Sequence, residues 1–156
     1  MTNTLFHTFV SSQTMNTISE KQTGTNIITT EVITSTLCYD EKNRLLITRV
    51  KKDSDVCLAN IEKDFKETDK FTNSNKLLLL LDIRAMAFNH IPKETMEYLS
   101  KNPYNKHQIA AAILIEGLGL KLIGNFYLNV YKPEVNTKLF LREDVAKKWL
   151  KKVGNK

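Results

Sequence analysis

The 156-residue chain has few of the residues that staple, kink or loosen a fold: two cysteines, three prolines, five glycines and one tryptophan. Cys38 and Cys57 have neither the spacing of a metal knuckle nor that of a redox pair, which fits a reducing cytoplasm. No apolar stretch approaches the roughly 20 residues that span a bilayer, and the N-terminus lacks the charged-then-apolar order of a secretion signal. The three histidines, His7, His90 and His107, stand singly with no partner at ligand spacing, so no metal is expected. The glycine spacings of dinucleotide and phosphate loops are missing as well, so no cofactor is expected.

What is present is ordinary for a soluble globular protein: 42% hydrophobic and 26% charged residues. One domain of this length buries roughly 70% of its unfolded surface. The net charge is +6. Seven Lys/Arg against two Asp/Glu lie between Lys138 and Lys156, which leaves the rest of the chain near neutral. That distribution speaks against a broad nucleic-acid footprint. The basic tail reads as the solvated face of a terminal helix, with docking to a membrane surface or an acidic partner as the alternative.

The organising stretch is Lys76–Met86, KLLLLLDIRAM. Five successive leucines do not alternate with polar residues, as a strand covered on both faces would read. Residues 1–26 are polar and nearly uncharged and are expected to form a flexible arm, with Met15 an alternative start. Asn26–Leu37 and Arg44–Val50 predict a β-hairpin, Cys38 lying at a strand end. Asp53–Phe71 predicts a helix with Leu58, Ile61 and Phe65 inward and the charges between them, Asp64 included, solvated. Pro92–Lys101 predicts a helix and Gln108–Ile115 a second buried strand. A Glu116–Gly119 loop leads to a helix over Leu120–Tyr131 with Leu122, Ile123, Phe126, Tyr127 and Val130 on its apolar stripe. Thr137–Leu141 and Glu143–Val153 supply a last strand and helix. The alternation implies an α/β sandwich: a mixed sheet with an N-terminal β-hairpin edge, parallel later strands and four helices, over residues 27–153.

DIRAM after an apolar strand, an apolar strand ending in a small glycine loop, then LIGNFYL, NTKLF and a helix ending in WL resemble the STAS/SpoIIAA-like family. These are small bacterial proteins related in fold to anti-sigma factor antagonists and, more loosely, to CRAL-TRIO lipid-transfer domains. The resemblance covers residues 27–153 and rests on order and spacing. It implies a non-enzymatic partner-switching module. Where the antagonists carry a phosphorylated serine, this chain reads Phe88-Asn89-His90-Ile91-Pro92-Lys93, with no serine, and Thr95 lies about one turn into the helix. The lipid-binding side of the group implies an apolar pocket under Leu120–Tyr131.

Open α/β sheets bind ligands at the carboxyl ends of their strands. Asp82–Pro92, Glu116–Lys121 and Leu141–Glu143 should meet there. Asp82 and Arg84 share strand parity, so they either pair with each other or face a ligand together. Gly117 and Gly119 either turn the chain or offer amides to an anion, with Lys121 and Asn125 beside them. His90, in the loop after the central strand, is either a satisfied loop residue or a general base lacking a nameable partner. Two expectations follow. The first is a cytoplasmic interaction module that docks a protein partner through Lys93, Lys121 and their helices, with a homodimer possible. The second is a carrier that holds an apolar small molecule against Phe126. Hydrolysis or transfer through Asp82, Glu116 and His90 is the residual alternative; an enzyme is not expected.

Overall fold

A computed structural model describes residues 26–86 and 91–156. Six strands form one sheet in the order of the chain: β1 (Ile27–Glu31), β2 (Ser35–Asp40), β3 (Leu45–Val50), β4 (Leu77–Asp82), β5 (Gln108–Leu114) and β6 (Thr137–Phe140). The first three pair antiparallel, and β3 through β6 pair parallel. The parallel steps cross through α1 (Leu58–Phe71), α2 (Lys93–Lys101) and α3 (Gly117–Phe126). A 3₁₀ turn over Pro103–His107 precedes β5, and α3 continues into one π-helical turn, Tyr127–Tyr131. The sheet always advances in one direction, so crossovers of one hand place α1, α2 and α3 on one face. The last helix, α4 (Glu143–Gly154), covers the other face over β4 and β5.

This sandwiching explains the leucine run. Leu78 and Leu80 point into a core with Ala110, Ala112, Leu114, Ala146 and Leu150 beneath α4. Leu77 joins the opposite core with Leu37, Tyr39 and Leu46. The small residues Ala110 and Ala112 let α4 lie close to the sheet.

Four expectations need correction. The single strand over Asn26–Leu37 is two strands, so the edge is a three-stranded meander and Cys38 sits inside β2. The turn contains no glycine, proline or asparagine. It is held instead by Asp64 of α1, whose carboxylate accepts from the amides of Ile33 and Thr34, at 2.8 Å each, and from the Thr34 hydroxyl at 2.6 Å. Asp64 is therefore buried rather than solvated. The first helix begins at Leu58, not Asp53, because Asp53 adopts a left-handed φ of 61° that no helix continues. The third helix begins earlier than expected, at Gly117. The expected arm over residues 1–26 lies, but for Asn26, outside the described residues.

Candidate functional site

Two regions carry the chemistry, one on each face of the sheet. On the α4 side, β3 and β4 end in register at Arg49 and Asp82. Asp82 points toward α4 with Leu78 and Leu80, by strand alternation. Its carboxylate accepts from Arg49 Nη1 at 2.5 Å, from Arg84 Nε at 2.9 Å and from Arg84 Nη2 at 2.8 Å. Glu143, in the first turn of α4, accepts from Arg49 Nη2 at 3.0 Å and pairs with Lys147 at 2.7 Å. The Arg84 guanidinium holds Asp82 down to about 2, with Arg49 adding to it. Arg49 and Lys147 likewise hold Glu143 below the usual carboxylate range. A carboxyl this acidic stays ionised and cannot donate a proton near neutrality. Asp82 and Arg84 thus face one side together, as their parity implied, and pair with each other. Glu143 lies where the Leu141–Glu143 stretch was expected to meet Asp82; Arg49 and Lys147 were not foreseen, and the strand-end position of Arg49 in RLLITRV was the available signal.

On the opposite face lies a cavity of about 200 Å³. Its floor is Leu79, Leu81, Ala111 and Ile113 of the two central strands. Its roof comes from Ile61 and Phe65 of α1, Met96 and Leu99 of α2, and Ile123 and Tyr127 of α3 and its π turn. On this floor Ala111 presents only a methyl group beside the larger Leu79, Leu81 and Ile113. Burial pushes the Tyr127 phenol well up, as a poorly solvated surrounding requires. The polar end is formed by Asp69, Asn105, His107 and Gln108, at the amino ends of β4 and β5. The Asp69 carboxylate lies 2.7 Å from His107 Nδ1 and takes the Ser74 hydroxyl at 2.8 Å.

The remaining expected residues are scattered. Phe126 does not line the cavity: it is 52% exposed, and Leu122 and Val130 are exposed with it. One-turn spacing puts Leu118, Leu122 and Phe126 on the outer side of α3, while Leu120, Ile123 and Gly124 face the sheet. The apolar stripe is thus split between two sides of the helix, and Tyr127 takes the place assigned to Phe126. Lys121 and Asn125 are exposed. Gly117 has a left-handed φ of 76° and swings the chain from β5 into α3, a turn that glycine makes without strain; Gly119 follows within the first helical turn. Lys93 begins α2, exposed and 3.7 Å from Glu97. Thr95 is fully buried, its hydroxyl donating to the Val56 carbonyl at 3.1 Å. His90 lies outside the described residues. Glu116 is exposed and forms no pair with Asp82.

Among the described residues no three His, Cys, Asp or Glu side chains cluster as a metal site. No described helix is long and apolar enough to cross a membrane. The sequence model of a domain of unknown function, DUF7793, matches residues 39–154. No curated protein and no solved structure matches the chain.

Proposed function

The chain belongs to the DUF7793 family, and we propose that it is a non-enzymatic, cytoplasmic binding protein that holds an apolar small molecule between its sheet and the α1–α3 layer. The observation that carries this reading is the cavity of about 200 Å³ under the crossover helices. Interiors rarely hold voids larger than a water molecule, and a concave apolar space with a few convergent polar groups is the usual form of a ligand site. The resemblance to STAS/SpoIIAA-like proteins supports a non-enzymatic role, and so does the locking of Asp82 between two arginines.

Native mass spectrometry of protein freshly purified from its host tests the reading. Extra mass that disappears on denaturation is the expected result. Replacing Ala111 with Leu fills the floor and should lower ligand occupancy at least tenfold in a protein that still folds. A clean apo mass for the unaltered chain would overturn the carrier role.

A second reading, a protein-interaction module, is favoured by the exposed residues Leu118, Leu122, Phe126 and Val130, one turn apart along α3 and its π turn. Changing Leu122 and Phe126 together to Ser should leave the melting temperature nearly unchanged and abolish any self-association seen by light scattering or partner recovery by pull-down. Unaltered assembly would remove this face from consideration.

A further inference from the structure

The cavity has two chemically different ends. Met86 and Ile91 lie at the carboxyl ends of the strands, and Asp69 and His107 lie at the amino ends. Leu77 and Ile83, six steps apart along the chain, both line the space; at about 3.3 Å per step that is on the order of 20 Å. Such an elongated space suits a chain better than a compact ring. A cavity of roughly 150 Å³ accepts benzene; by proportion, about 200 Å³ takes on the order of eight carbons.

The polar end offers an open position at His107. A carboxylate only accepts hydrogen bonds, so the 2.7 Å contact from His107 Nδ1 to Asp69 Oδ1 places a ring proton on Nδ1. Ser74 occupies Oδ2 of the same carboxylate at 2.8 Å. In the neutral ring the other nitrogen, Nε2, is then an acceptor with no partner among the described residues. No buried side-chain nitrogen or oxygen among those residues is left unpaired, so Nε2 is reached by solvent, and the His107 side chain, 20% exposed, borders the cavity. The groups beside it are already committed: the Asn105 amide donates to the Ser100 carbonyl at 3.1 Å, and its oxygen accepts from Asn102 at 2.8 Å. An acceptor of fixed tautomer beside an apolar channel selects a donor, in the way a histidine oriented by a carboxylate presents a single nitrogen.

We infer that Asp69 and His107 form a head-group site for an aliphatic chain of about eight carbons that ends in a hydroxyl, the hydroxyl donating to His107 Nε2. Asp69 is the positioning residue and His107 the contacting one. The assignment rests on the cavity-binding reading and adds a polarity and a direction to it.

The test compares 1-octanol with octyl methyl ether, which matches it in chain but cannot donate. Calorimetric titration should show the alcohol binding about three- to tenfold more tightly, the worth of one net hydrogen bond. His107→Phe should bring the two affinities together without weakening the ether. Nitrogen-15 spectra of the unaltered protein keep the test independent of that variant's folding. They should show a ring protonated at Nδ1, with the Nε2 signal moving on addition of octanol and not of the ether. Equal affinity for both probes, or an Nε2 that does not respond, would overturn the head-group site and leave the carrier reading standing. Binding of neither probe would overturn both.

Discussion

Leu80 and Leu79 are neighbours with unequal burdens. Leu80 is fully buried beneath α4, while Leu79 is only half-buried and borders the cavity. Truncating a packed leucine costs the lost transfer energy and the cavity left behind, and the cost depends on how fully the site was packed. Leu80→Ala should therefore lose about 2–5 kcal/mol in urea titration, and Leu79→Ala distinctly less. Equal losses would mean that the space under the crossover helices is filled in solution. The run of leucines showed that this strand is central; which leucine matters most could not be read, because parity relative to the two layers is a tertiary property.

At the scale of elements, two carboxylates act as ties. Asp64 joins α1 to the β1–β2 turn, accepting from two amides and a hydroxyl. Asp64→Ala strands these donors, and losing hydrogen bonds to a buried charge should cost about 3 kcal/mol. A loss under about 1 kcal/mol in chemical denaturation would show that the turn forms without it. Asp82 joins β4 to β3 through Arg49 and, by way of the same arginine, to Glu143 of α4. Its folded value of about 2 lies below the ordinary 3.8. The ionised group therefore stabilises the fold above about pH 4, and this contribution is lost as pH falls through about 2. Melting temperatures of Asp82→Asn should be lower than those of the unaltered protein at pH 7 and flatter between about pH 4 and 2. Parallel acid profiles for the two proteins would show that the arginines do not act through this carboxylate.

For the whole molecule, the layering decides where a ligand can sit. Among the described residues, one face of the sheet carries α4, packed on alanines, and the other carries three helices over an incompletely filled floor. Filling that floor with Ala111→Leu should raise the stability of ligand-free protein, since it replaces a void with side-chain contacts. The same change should remove any stabilisation that added ligand brings, which for free ligand at a hundredfold over Kd is about 2.7 kcal/mol. A variant that melts lower than the unaltered apo protein would indicate a floor already closed.

The sequence by itself determined the mixed α/β class, the central strand, the parallel later strands, the helices around Leu58–Phe71, Lys93–Lys101 and Glu143–Gly154, and the common side of Asp82 and Arg84. These follow from local periodicity and from residues two apart on one strand, which near neighbours dictate. Only the tertiary structure decided the turn at Ile33–Thr34, the burial of Asp64, the outward face of Phe126 and the meeting of Asp69 with His107. Each depends on residues 30 or more positions apart, or on which side of a two-sided helix meets the sheet. The turn shows the reason most plainly. Its β-branched residues carry no turn signal of their own, and the carboxylate that bends them arrives from a helix that forms later in the chain.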